Sequence, residues 1–200
     1  LELLMEKTIH SLLVIGLGKV GSLVAILLHE NGYAVTGLTR EVSGDVPFKL
    51  ILADSSDMEQ LKKAIEEHDA VVSCLPYHLN LNVAEAVHNA GKHYFDLTED
   101  VLTTEKVREL AKTSKGLMAP QCGLAPGFIG IVGADLTKGM DKLRSIELRV
   151  GALPKHPRGL LGYAFNWSPE GVVNEYLNDC EVIQDGQRAR VPAMENLETI

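Results

Sequence analysis

The chain has 200 residues, 46% hydrophobic and 23% charged, with a formal net charge of −8. With no Lys/Arg cluster, that balance argues against a nucleic-acid partner. The longest apolar stretch, residues 23–28, is far too short to span a bilayer, so no membrane partner is expected.

The opening residues LELLMEKTIH lack the basic region and the small-residue cleavage site of a signal peptide. They also lack an initiating Met, so the sequence is expected to carry extraneous residues or to be a piece of a longer protein. Cys74, Cys122 and Cys180 are odd in number and far apart, which suits a reducing cytoplasm better than a disulfide framework or a zinc site. The seven His include no H-E-x-x-H, and no metal is expected.

Residues 12–15 (LLVI) form the short apolar run of a buried parallel strand. The run enters Gly16-Leu17-Gly18-Lys19-Val20-Gly21, a G-x-G-x-x-G turn. A helix should follow, with Val20, Leu23, Val24 and Leu27 at helical spacing and Asn31-Gly32 as its stop. Gly16 allows the tight turn, Gly18 leaves room for a pyrophosphate, and Gly21 lets helix and strand pack closely. Amides at the helix N-terminus would then face the diphosphate. These six residues are the first cofactor-binding candidates.

Strands and helices alternate from there. Strands are predicted at 33–39, 48–53, 70–74, 93–97 and 117–120. Between them lie a helix opened by a Ser56/Glu59 capping box and burying Met58, Leu61, Ala64 and Ile65, and a helix near 80–89 ending at Gly91. A third, marked by Val107, Leu110 and Ala111, ends at Lys115-Gly116. This rhythm predicts an α/β fold, a Rossmann doubly wound parallel sheet, over residues 1–120.

The pattern changes at the Gly/Pro-rich joint 121–127 (QCGLAPG). An apolar helix is expected at 128–136, a long strand at 142–153, and a helix at 169–177 with Ser168 as N-cap and Pro169 at its first position. A hairpin should turn at Asp185-Gly186. Residues 121–200 thus read as the start of an α+β domain for substrate binding and dimerisation, with the rest absent. Alone, the chain is expected to bind cofactor without turning over substrate.

Cofactor choice should be set at the end of the second strand, where an acid often binds the ribose 2′-hydroxyl. Here that place holds Arg40, followed by Glu41. A guanidinium would pair with a 2′-phosphate, so NADP is expected over NAD, though NAD stays possible; otherwise Arg40 is a solvated surface residue. Asp54 either bonds the adenine or caps the next helix.

Several motifs resemble the saccharopine dehydrogenase family: G16-x-G18-x-x-G21, Ser73-Cys74-Leu75-Pro76-Tyr77, Tyr94-Phe95-Asp96-Leu97-Thr98-Glu99 and Gly123-Leu124-Ala125-Pro126-Gly127. Val150-Gly151-Ala152-Leu153-Pro154 and Gly162-Tyr163-Ala164-Phe165-Asn166-Trp167-Ser168-Pro169 are similar to the same family in the same order, closest to its lysine 6-dehydrogenases and glutamate-forming saccharopine reductases. The resemblance implies a two-domain, usually dimeric NAD(P)-dependent oxidoreductase acting at a C–N bond of an amino acid of the lysine or saccharopine type. It implies that Ser73, Cys74, Leu75 and Pro76 follow the nicotinamide ribose. Tyr77 would donate to the substrate or pack at a domain seam. Asp96 would hold an amine or a ribose, or else cap a helix. Gly123 and Ala125 would carry the chain past the nicotinamide, and Asn166, Trp167 and Ser168 would line the substrate pocket, with Trp167 alternatively part of a core.

Gln121 stands where family members often carry an acid, which leaves the general base and lysine as substrate open. Cys122 reads as a small buried thiol or as a neighbour of the ring. Two other readings compete: a regulatory domain that senses NAD(P) without turnover, and a dehydrogenase of hydroxy acids or aldehydes. The second lacks an obvious His or Cys in a suitable turn.

Overall fold

The computed structural model describes residues 9–41, 44–151, 153–160, 162–165 and 167–195. Its first half is one six-stranded sheet built from β1 (Ser11–Ile15), β2 (Ala34–Thr39), β3 (Lys49–Leu52), β4 (Ala70–Ser73), β5 (His93–Asp96) and β6 (Met118–Ala119). Every pairing is parallel, in the order β3-β2-β1-β4-β5-β6. Helices α1 (Lys19–Glu30), α2 (Met58–Glu66), α3 (Tyr77–Ala90) and α4 (Val101–Ala111) supply the crossovers.

The sheet is buried on both faces, which is why its strands read as near-continuous apolar runs. One face packs Leu13, Ile15, Leu61, Ile65, Val83 and Val87 with other residues, and the other gathers Leu12, Val14, Ala25, Val35 and Val72. β1 lies between β2 and β4, so the connections from the carboxyl ends of β1 and β4 run in opposite directions and open a crevice there.

Several boundaries and caps depart from expectation. In α1 the inward residues are Gly21 and Ala25, whereas Val20, Leu23 and Leu27 are 54%, 56% and 48% exposed. A Cβ on Gly21 would collide with the Gly16 carbonyl, so this contact rotates the helix and turns the larger side chains outward. Asp57, not Ser56, caps α2, accepting the amides of Glu59 and Gln60. α4 starts at Val101 and gives way at Lys112, before the predicted stop at Lys115-Gly116.

Beyond residue 120 come α5 (Phe128–Thr137), α6 (Pro169–Leu177), and an antiparallel ribbon of β7 (Cys180–Gln184) and β8 (Gln187–Val191). α6 carries its predicted bounds, with the Ser168 hydroxyl accepting the Gly171 amide at 3.1 Å. The ribbon turns at Asp185-Gly186, both at positive φ. The long strand predicted at 142–153 does not form among the described residues. Ile146, Leu148 and Val150 alternate as a strand would, but no described strand supplies a ladder for their amides, and all three are about half exposed.

Candidate functional site: a dinucleotide crevice and its neighbouring loop

The crevice at the carboxyl edge encloses about 560 Å³. Its lining includes Gly16, Leu17, Gly18, Arg40, Asp54, Cys74, Leu75 and Pro76, eight of the predicted cofactor residues. Gly16 adopts φ +88°, and its amide donates to the Leu38 carbonyl at 2.9 Å, which bends the chain sharply out of β1. Gly18 is the N-cap residue of α1, has no side chain with which to cap, and faces open space: nothing lies within 4 Å of a built Cβ. The first amides of α1 are therefore left for a ligand, and the dipole there favours an anion. Lys19, Val20 and Gly21 form that first turn rather than the crevice wall.

Arg40 and Asp54 stand at the far end. Their charges lie 4.0 Å apart, with side chains 78% and 49% exposed, a pairing too loose and too solvated to hold the guanidinium in place. Asp54 also accepts the Ser56 amide at 2.8 Å, and that bond holds its carboxyl below the usual range, with Arg40 a lesser cause. It organises the turn before α2, while the cap itself belongs to Asp57. Ser73 lies below the crevice floor, fully buried, its hydroxyl donating to Asn80 Oδ1 at 2.7 Å. Burial pushes the Cys74 thiol up to about 12, so it stays protonated and inert.

The substrate-side candidates are more scattered. Tyr77, first residue of α3, stacks edge-on against His78 and lines a small cavity with Pro169, Glu170, Val173 and Leu177 of α6. Asp96 is fully buried, and its carboxylate accepts the Tyr94 hydroxyl at 2.9 Å and the amides of Thr98 at 2.9 Å and Gln121 at 3.2 Å. It faces inward rather than into the crevice, and it does not cap α4: Asp100 does, accepting the Thr103 amide at 2.8 Å. Burial raises the Asp96 carboxyl, opposed by those same hydrogen bonds.

The joint that follows is folded back on itself. Phe128 donates to the Gly123 carbonyl at 2.8 Å, Gly123 bridges to Gly127, Ala125-Pro126 is cis, and Ala125 is exposed. Cys122 is exposed as well, against the expectation of a buried thiol, because the turn aims it out of the core. Trp167 packs on Gly171, and the Ser168 hydroxyl is occupied as a helix cap. Asn166 falls outside the described residues.

Reasoning from sequence overlooked His78 and Leu79, which line the crevice, and Asn80, which is buried beneath it. Asn80 left a signal, since Asn80, Val83, Ala84 and Val87 share one helical face and a polar residue on an inward stripe needs a partner. Glu99 was overlooked too; burial, with Asp100 and Asp96 nearby, raises its carboxyl. Among the described residues no cluster of His, Cys, Asp or Glu is suited to a metal, and no helix is long and apolar enough to cross a membrane.

Comparison with known proteins agrees with this geometry. Residues 12–119 match the saccharopine dehydrogenase NADP binding domain, and residues 123–200 match the saccharopine dehydrogenase C-terminal domain. A saccharopine dehydrogenase [NADP(+), L-glutamate-forming] of Schizosaccharomyces pombe is 26% identical over 79% of this chain and 36% of its own length. An alpha-aminoadipic semialdehyde synthase of Arabidopsis thaliana is 27% identical over 72% of this chain and 14% of its own. The chain thus spans well under half the length of these relatives. The fold is shared with apo saccharopine dehydrogenase (L-Glu forming) from Saccharomyces cerevisiae, with a TM-score of 0.54 at 19% identity over 92% of this chain and 44% of that one. With more than half of its residues matched by one family model and most of the remainder by a second, the chain belongs to the saccharopine dehydrogenase family.

Proposed function

We propose that this chain is the nucleotide-binding half and adjoining segment of an oxidoreductase that uses NADP(H) at a C–N bond of an amino acid of the lysine or saccharopine type. The observation that carries it is the open place at Gly18, where uncapped amides of α1 face a crevice that ends at Arg40. A pyrophosphate fits the first feature and a 2′-phosphate the second. A protein that only sensed the nucleotide would have no need of the joint and helix that follow the sheet. Most of the joint and all of that helix fall within residues 123–200, matched by the saccharopine dehydrogenase C-terminal domain.

NADP(H), when bound, supplies the hydride chemistry; the protein orients and excludes water. Gly16 to Gly21 hold the diphosphate by backbone amides, and Arg40 pairs with the 2′-phosphate. The Cys74 to Pro76 stretch walls the nicotinamide side, where a neutral Cys74 offers no competing nucleophile. Tyr77 at the first turn of α3 donates to the substrate, and Asp96 acts at one remove, through the joint that it holds. Trp167 and Ser168 shape the far wall beside α6, with Gly123 and Ala125 nearer the ring. The division into residues 1–120 and 121–200, a homodimeric assembly and a cytoplasmic location are part of the same proposal. Three free thiols, Cys74, Cys122 and Cys180, suit a reducing compartment.

The test is a titration of the chain with NADPH and NADH, followed by a panel of amino acids under saturating cofactor on a full-length protein that contains it. Tighter NADPH binding that Arg40→Asp reverses supports the proposal. Equal affinities unchanged by the substitution would make Arg40 a surface residue and remove the basis for NADP.

A further inference from the structure

Beneath the crevice, the carboxyl ends of β4, β5 and β6 are tied together by a run of buried polar groups. Ser73 donates to the Asn80 side chain, and the Tyr94 hydroxyl lies 3.4 Å from the Asn80 carbonyl. The same hydroxyl donates to Asp96 Oδ2 at 2.9 Å. Asp96 Oδ1 takes the Thr98 and Gln121 amides, and the Asp96 carbonyl takes the Cys122 amide at 2.7 Å. Ser73, Asn80, Tyr94 and Asp96 are each no more than 1% exposed.

A phenylalanine would fill the site of Tyr94 equally well, so packing does not call for the hydroxyl. The carboxylate does. A buried carboxylate is costly unless its oxygens are satisfied, and among the described residues it is the Tyr94 hydroxyl that donates to Oδ2. The other oxygen holds Gln121, whose φ of +63° is a left-handed conformation that a residue with a Cβ keeps only when its surroundings impose it. From Gln121 the chain runs directly into Gly123, Ala125 and Gly127, so the aim of one carboxylate sets where the joint begins.

We infer that Tyr94 is a positioning residue: by orienting Asp96 it fixes the start of the joint 121–127 at the carboxyl end of β5. That the joint seats substrate rests on the proposed function, but the positional claim stands apart from it. Tyr94 is fully buried and forms no part of the crevice wall.

The experiment is amide hydrogen exchange on the full chain and its variants, with NADPH affinity measured alongside. Tyr94→Phe should speed exchange at Thr98, Gln121 and Cys122 by about tenfold, the loss of one hydrogen bond to a charged group, and leave β1 and α1 unchanged. NADPH affinity should stay within about twofold, since no binding group is altered. Asp96→Asn keeps an oxygen for the two amides but exchanges an acceptor for a donor facing Tyr94. In that background Tyr94→Phe should add less than about twofold. Uniform acceleration across the sheet would reduce Tyr94 to a core residue. Unchanged exchange at Gln121 and Cys122, or the same increment in both backgrounds, would overturn the inference. If neither NADPH nor NADH binds saturably, the proposed function fails while the exchange result still decides the role of Tyr94.

Discussion

In residues 11–119 almost every large apolar side chain of a strand has a partner, whereas α5 shows Phe128, Ile131 and Leu136 at 60%, 70% and 69% exposure. Both stretches are comparably apolar in sequence, so composition does not separate them. Closure does. Six parallel strands bury two sheet faces under four helices, and each strand's backbone is satisfied by its neighbours in the sheet. Past residue 120 the only sheet among the described residues is a two-stranded ribbon, which buries little and is marginal by itself in water. The nucleotide crevice is accordingly assembled from the elements of the sheet, whereas the candidates past residue 120 sit on segments outside it.

Glycines in helices expose this difference most sharply. Gly21→Val in α1 would drive a branched side chain into the Gly16 carbonyl at the base of the turn. We expect a loss on the order of 3 kcal/mol or more and failure of the first region to fold cooperatively, measured by urea unfolding. Gly130→Ala in α5 meets nothing within 4 Å and should instead add roughly 0.5–1 kcal/mol to helix stability. Gly18→Val lies between these cases: the space is open, so the chain should fold while losing detectable affinity for NADPH and NADH alike.

Smaller effects belong to single caps and carboxylates. Ser168→Ala removes the cap of α6 and should cost about 1 kcal/mol, seen as faster local exchange in α6 without change in β1. Asp69 accepts the amides of His10 and Ser11 at 2.9 Å each, which lowers its carboxyl from the ordinary 3.8 to about 2. Its folded-state value is depressed, so its contribution is present above pH 4 and disappears as pH falls toward 2. An acid titration should show wild type losing stability over that window, with Asp69→Asn flatter there.

Periodicity made the first region legible because buried parallel strands and amphipathic helices leave strong local patterns. Leu12 to Ile15 and the Leu61, Ala64, Ile65 face both lie inside as predicted. The rotation of α1 was not legible, since it depends on a backbone contact between Gly21 and Gly16 rather than on which residues are apolar. Residues 142–153 misled for a related reason: alternation shows that a strand is possible, and the ladder partner decides whether it forms. At the site, the glycine turn and Arg40 were readable as motif chemistry. For Asp96 the strand-end position allows either a ligand-holding or a helix-capping role, and only the Tyr94 hydroxyl and the Gln121 amide show that it looks inward.

The central claim is that residues up to 120 hold a complete NADP(H) site with Arg40 reading the 2′-phosphate. It is tested most directly by isotherms of NADPH and NADH on the unaltered chain and on Arg40→Asp. The account predicts saturable one-to-one binding with NADPH the tighter ligand, and a loss of about 1–3 kcal/mol for NADPH alone in the variant. Absence of saturable binding, or affinities for the two cofactors that are equal and indifferent to Arg40, would contradict it.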